Sequence, residues 1–416
     1  MPVLAIKGGK PEAEELKRLV PEWPIYSKED ICAIREVLES RRWCRLHEPS
    51  KATLFEQKFA RFHDAKYGIA VANGTVAIEL ALKALDIKIG DIVLVPAITF
   101  IASASAITEV GAIPIFVDID PETGCISPTS LRETLEEYPE AKAMIVVHYS
   151  GYPVDMDKIL AVANEYNIRV IEDCAHAHGT EWKGRKVGAI GDMGTFSFQE
   201  SKTLTSGEGG IVLTNDDKLA EKARLIHNIG RVLGKPGYMH YILSSNYRMT
   251  EFQAALLLSQ MERLPQQIEI RHRVGKYLAS KLRKIGGVEP LKDDERITNR
   301  GYYFFVFKYD SKEFDGLPKE KFLEALNAEG VPAGSGYGMP LYRQPAFARK
   351  NLEQIFPLNL VEKMPRYEEM YLENAELFSR MEVTLPQTLL LGGEKAADLV
   401  VSSIKKIKEH VNELFD

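Results

Sequence analysis

Between about residues 54 and 264, short apolar runs alternate with amphipathic stretches. The runs at 67–72, 92–95, 113–117, 143–148, 168–171, 194–198 and 210–213 are mostly rich in Val and Ile and are bounded by turn residues, so they predict strands. Helical spacing fills 75–85, 102–110, 130–137, 156–166 and 218–226 between several of them. The strands are almost continuously apolar rather than alternating. That pattern belongs to strands covered on both faces, so the fold class is α/β, a mainly parallel central sheet with helices on both sides. The short link between the last two strands allows one of them to run antiparallel. Helical patterns follow at 250–262 and after Pro265. From residue 302 the texture changes: a strand at 302–308, a helix at 319–329, a Pro/Gly-rich stretch at 331–345 and a helix at 396–414. The expected organisation is a large domain over 30–265 and a smaller α+β C-terminal domain over 266–416, with the N-terminal segment 1–29 packed on the smaller one.

Composition narrows the class. The 416 residues are 45% hydrophobic with a formal net charge of −6, enough for a sizeable core and no basic surface for nucleic acid. The four cysteines show no Cys-x-x-Cys spacing, which suits a reduced, cytoplasmic setting. The N-terminal apolar run is too short for a signal peptide, and no run approaches the ~18 apolar residues of a membrane span.

The candidate chemistry clusters at predicted strand ends. Lys202 lies between a strand and the glycine-dense turn Gly207-Glu208-Gly209-Gly210. A lysine in such a place is costly unless paired or neutral, and a desolvated amine is a nucleophile able to form a Schiff base. Asp173 ends another predicted strand, where open α/β sheets place ligand groups. A lysine with an aspartate partner is the pattern of a pyridoxal-phosphate (PLP) site, the aspartate pairing with the pyridinium nitrogen. Asn73-Gly74-Thr75 opens a helix whose free amides favour an anion, although an ordinary N-cap reads the same. Phe100 follows another strand exit and could stack on a ring, or sit in the core. Ser197 offers a hydroxyl, and Asn246 precedes a long helix. His176 and His178 leave a rival open, because Asp173-x-x-His176-x-His178 could ligate zinc in a hydrolase. Neither a Gly-x-x-x-x-Gly-Lys-Ser/Thr loop nor a Gly-x-Gly-x-x-Gly turn joins a strand to a helix, which argues against nucleotide triphosphatases and dinucleotide enzymes.

In order, Phe55-Glu-Gln-Lys-Phe-Ala60, Asn73-Gly-Thr75, Gly90-Asp-Ile-Val-Leu-Val-Pro96, Thr99-Phe100, Glu172-Asp173, Ser197-Phe198, Ser201-Lys202, Gly207-Glu-Gly-Gly210 and Asn246-Tyr-Arg248 resemble the DegT/StrS family of PLP-dependent sugar and cyclitol aminotransferases. The resemblance implies the aspartate aminotransferase-like, fold type I architecture and a homodimer with shared active sites. It implies that Lys202 holds PLP and shuttles the proton, Asp173 pairs with N1, Phe100 stacks on the ring and His176 lies near the pyridine hydroxyl. Gly74, Thr75 and Ser197 would bind the phosphate, with Asn246 reaching that of the neighbouring subunit. Relatives with histidine at the Lys202 position are sugar dehydratases, so lysine favours transamination. Arg42-Trp43-Cys44, 175–178 and 196–199 look most like aminohydroxybenzoate synthases, whereas 302–314 and 338–342 look more like inosose aminotransferases.

The function expected is amino transfer from an amino acid, glutamate or glutamine, to a keto sugar, nucleotide-linked keto sugar or keto-cyclitol. The alternatives are a PLP-binding regulator or scaffold without transamination, and the zinc hydrolase.

Overall fold

A computed structural model describes residues 3–235 and 238–415; Met1 and Pro2 of the segment 1–29 and Asp416 of 266–416 lie outside it. The predicted runs form seven strands: β1 (Tyr67–Val71), β2 (Ile92–Pro96), β3 (Ile113–Val117), β4 (Ala143–Val147), β5 (Arg169–Asp173), then, after a two-residue hairpin of β6 (Glu181–Trp182) and β7 (Arg185–Lys186), β8 (Met193–Ser197) and β9 (Gly210–Thr214). They make one sheet in the order β1-β9-β8-β5-β4-β2-β3. The pairs β2–β3, β2–β4, β4–β5 and β5–β8 are parallel. Only β9 runs against its neighbours, antiparallel to both β1 and β8. Strands β2, β3, β4, β8 and β9 are buried along their whole length, as expected for a sheet covered on both faces.

A second sheet joins β10 (Val288–Pro290), β12 (Phe304–Tyr309) and β13 (Glu382–Pro386), while β11 (Ile297–Asn299) pairs with β6. Helices Leu264–Leu282 and Gly393–Glu409 bury an apolar face in this second core, which also takes in Leu4, Ala13 and Leu16 near the N-terminus. The buried Glu329 carboxylate fixes that segment by accepting from the amides of Ala5 (2.9 Å) and Glu12 (2.8 Å), with Lys406 at 2.8 Å as its counter-ion. Residues 266–416 are not confined to the second core. Tyr342, Phe347 and Tyr367 pack around Phe116 of β3 and belong to the core of the large sheet. Amphipathic spacing shows that a segment has an apolar face but not which core receives it.

With the parallel strands aligned, their carboxyl ends bring the β1, β2, β4, β5 and β8 exits to one edge of the sheet. The chemistry-bearing residues lie there, where open α/β folds bind ligands.

Candidate active site

A cleft of about 660 Å³ opens at this edge. Gly74, Thr75, Phe100, Asp173, His176, Ser197 and Lys202 all line it, brought together from positions far apart in sequence. Asn246 does not line it. It is exposed in a loop, bridges to Asn228, and its Oδ1 accepts from the Arg248 amide at 3.2 Å.

Asp173 is the last residue of β5. Its Oδ1 accepts from the Ala175 amide at 3.1 Å, and its Oδ2 from the Ser103 hydroxyl at 2.7 Å. Ser103 spends its proton on the carboxylate, so the Thr99 hydroxyl 3.0 Å away donates to Ser103 in turn. Burial raises the Asp173 carboxyl above its ordinary value, opposed by Ser103, Ala175 and the Lys202 charge. A buried carboxylate facing a cleft is stabilised by a cationic nitrogen placed against it.

Lys202 follows β8 in a buried turn. Burial takes its amine down to about 8, with the Asp173 charge pulling the other way. Its Nζ lies 3.9 Å from the centroid of the Tyr303 ring, and the hydroxyls of Tyr303 and Ser201 share a hydrogen bond of 2.7 Å.

At the other end of the cleft, Asn73 caps the helix Gly74–Ala84 by accepting from the Val76 amide at 3.1 Å, so Gly74 and Thr75 present amides at the positive end of the helix. Gly74 lies so close to β8 that a β-carbon there would be 2.6 Å from Ser197 Cβ. Only glycine lets this helix end lie so close to the Ser197 hydroxyl.

The two histidines have different tasks. His176 Nδ1 accepts from the Ser150 amide at 3.3 Å, so the neutral ring carries its proton on Nε2, which lies 3.1 Å from the Tyr337 hydroxyl. The Tyr303 ring stacks on it at 4.3 Å. Burial, then the Lys202 charge, holds His176 well below its ordinary value and keeps it neutral. His178 is a strut behind the cleft: its Nε2 donates to the Ser197 carbonyl at 3.0 Å and its Nδ1 accepts from the Thr203 hydroxyl at 3.2 Å, tying β8 to the lysine turn. The zinc reading of Asp173, His176 and His178 fails on this geometry, because their ligand atoms face different partners. Among the described residues, the donors that do converge are His148, Glu172 and Cys174, all buried. His148 Nδ1 accepts from the Val154 amide, so its Nε2–H donates to Glu172. Glu172 also accepts from the amides of Gly188, Ile190 and Gly191. Burial raises the Glu172 carboxyl, but the His148 bond and these amides outweigh it and hold the group below its ordinary value.

Sequence reasoning singled out neither Ser103 nor Tyr303, and it took Tyr337 only as part of a loop, 334–343, expected to shape the pocket. Tyr337 had a visible signal, a tyrosine flanked by Gly336 and Gly338. Ser103 had none, because its role depends on β5 lying within reach of the β2 exit.

This sheet and cleft define the fold of PLP-dependent transferases, aspartate aminotransferase-like. The chain belongs to the DegT/DnrJ/EryC1/StrS aminotransferase family, whose model matches residues 24–405, and it is an aminotransferase. It is 35% identical to the L-glutamine:2-deoxy-scyllo-inosose aminotransferase of Streptoalloteichus tenebrarius across the whole of both chains. It is 34% identical to the enzyme of the same name from Streptomyces fradiae, over 97% of each chain. The crystal structure of 3-amino-5-hydroxybenzoic acid synthase matches with a TM-score of 0.82 at 32% identity, over 95% of this chain and 99% of that one.

Proposed function

We propose that the protein is a PLP-dependent aminotransferase that moves an amino group from L-glutamine to a keto-cyclitol. The observation that carries the cofactor is the pairing, in one cleft, of a buried carboxylate, a lysine amine lowered to about 8 and a helix end opened by Gly74. When bound, PLP supplies an aldehyde that takes up amines and a ring that withdraws electrons from the reacting carbon.

The residues present fit that group. Asp173, oriented by Ser103 and the Ala175 amide, would hold the pyridine nitrogen protonated. The Gly74 and Thr75 amides and the Ser197 hydroxyl would take the phosphate. His176, held neutral, would lie near the ring hydroxyl. Phe100, half exposed in the cleft, would cover a ring face. Lys202 would anchor the cofactor covalently. Its amine, once released, would take the proton from the donor's α-carbon and return it during the transfer, and with the acceptor it would work in reverse. An amine that titrates near 8 carries out both transfers around neutral pH.

The acceptor follows from the lining and the relatives. Among the described residues that line the cleft there is no arginine, and Lys202 is the only lysine. The hydroxyl, amide and aromatic walls that this chain contributes suit an uncharged polyhydroxy ketone. The inosose aminotransferases among the relatives act on such a ketone and name glutamine as donor.

We infer a homodimer in which Asn246 reaches the partner's phosphate site. In its support, Tyr238, Met239, Tyr241 and Leu243, just before Asn246, expose large apolar side chains. A cytoplasmic setting is supported by four free cysteines and by the lack, among the described residues, of a helix long and apolar enough to cross a membrane.

The test is direct. Purified protein should be yellow, borohydride should fix the cofactor to Lys202, and L-glutamine with 2-deoxy-scyllo-inosose should yield the aminated cyclitol. A colourless protein that PLP cannot reconstitute sinks the reading. Amination of a nucleotide-linked keto sugar in preference to the inosose sinks the acceptor alone.

A further inference from the structure

Among the buried acids that the proposed chemistry does not use, Glu382 is the one that lies under the loop carrying Tyr337. Glu382 opens β13, is 1% exposed, and accepts from the Tyr149 hydroxyl at 2.5 Å. Directly on its carboxylate lies Gly336, with φ +59°; a β-carbon there would overlap the carboxylate oxygens. Gly334 and Thr384 exchange both backbone hydrogen bonds, at 3.0 and 2.8 Å, and so clip the strap to β13 two residues beyond Glu382. The strap therefore has two attachments, a backbone clip and a seat on Glu382, and the next residue is Tyr337. Its ring stands between the cleft walls, 6.1 Å from Phe100 and 6.0 Å from Tyr149, and its hydroxyl meets His176 Nε2.

We propose that Glu382 is a positioning residue: with Tyr149 it seats the glycine strap 334–338 and thereby sets Tyr337 against His176 in the cleft. Glycines on either side of Tyr337 leave the strap little stiffness of its own, so its place depends on what lies beneath it. The groups facing the carboxyl are the Tyr149 hydroxyl, the Lys319 ammonium on helix Lys319–Ala328 (bonded to the Glu382 carbonyl at 3.3 Å), Tyr337 on the strap, and Lys308, its register partner on β12. Beyond Tyr149 lies the buried Cys125 thiol.

The direction with pH follows. Burial raises the Glu382 carboxyl to about 7, against the pull of Tyr149 and Lys319. A carboxyl raised by burial favours the closed strap when neutral. As pH rises from the ordinary value near 4.5 toward 7, any opening that lets water reach the carboxylate becomes easier. One proton allows at most about a tenfold change per pH unit.

The strap's seat does not depend on the aminotransferase reading; only the consequence for His176 does. The experiment is amide hydrogen exchange of residues 333–340 in the full-length protein from pH 5.5 to 8.5, corrected for intrinsic exchange. Wild-type protection should fall with pH up to about 7 and then level, while Glu382→Gln, which keeps the acceptor for Tyr149 but cannot ionise, should show no such slope. Gly336→Ala should lose protection at every pH. Tyr149→Phe removes the bond that lowers the carboxyl and should move the levelling point to higher pH; it serves as the deciding variant if Glu382→Gln does not fold. In the PLP-loaded enzyme, Glu382→Gln should flatten the pH profile of KM for the keto acceptor. Wild-type protection that ignores pH, or a slope retained in Glu382→Gln, overturns the proposal. Loss of the KM effect with the exchange effect intact would instead fault the role assigned to His176.

Discussion

Replacing Lys202 by methionine tests the electrostatics of the cleft without reference to turnover. The side chain is almost wholly buried, and its amine titrates near 8 instead of near 10.5. That gap corresponds to about 3 kcal/mol of folding free energy spent on keeping a charge in this site. The sign is that of a base whose folded value is depressed: the full cost applies below pH 8 and disappears as pH rises toward 10.5. Methionine has similar volume and no charge, so the variant escapes the cost, although it also deprives Asp173 of its neighbouring cation. That loss contributes an offset between the two proteins, and the pH-dependent part expected between pH 8 and 10.5 is the amine's. The stability difference, variant minus wild type, should therefore shrink by about 2 kcal/mol between pH 7 and 9.5. Urea unfolding of the cofactor-free proteins at several pH values measures it. A difference that stays constant across this range would refute the claim that burial depresses this amine. The same depression predicts that about a quarter of the amine is free at pH 7.5, against about a thousandth for an ordinary lysine, so PLP should bind covalently without alkaline conditions.

Asp173→Asn should keep the fold but cut turnover by orders of magnitude, as a neutral amide no longer holds the ring nitrogen protonated; near-normal turnover would remove Asp173 from that role. Gly74→Ala places a β-carbon 2.6 Å from Ser197 Cβ, so it should cost about 1–3 kcal/mol in thermal stability and weaken PLP binding in a cofactor titration. His178→Leu should lower stability by about 1–3 kcal/mol by leaving the Ser197 carbonyl and Thr203 hydroxyl without a partner, while chelators leave the wild type unaffected. Asn246→Ala should weaken PLP binding only where the protein is dimeric in sedimentation; equal weakening of a monomer would contradict the reach across the interface.

The seven strands of the large sheet and the helices between them were legible from apolar spacing to within a few residues, because strands buried on both faces must be apolar throughout. The placement of Lys202, Asp173 and the Gly74 helix start at the cleft was legible too, since each residue type carries a cost or a preference in its local setting that calls for a reason. Local sequence could not reveal which residues become neighbours. Whether the two histidines would ligate a metal was decided by the directions of their ring nitrogens, one toward Ser150 and Tyr337, the other toward Ser197 and Thr203. The orientation of Asp173 by Ser103, the packing of Tyr303 on Lys202 and the seat of the Tyr337 strap on Glu382 exist only once the strand order is set and the second sheet lies against the first. Sequence alone determined the fold class and the chemical class, because backbone pattern and residue type carry them. Tertiary structure decided the protonation states and the walls of the cleft, because burial and charge proximity depend on contacts between residues tens to hundreds of positions apart.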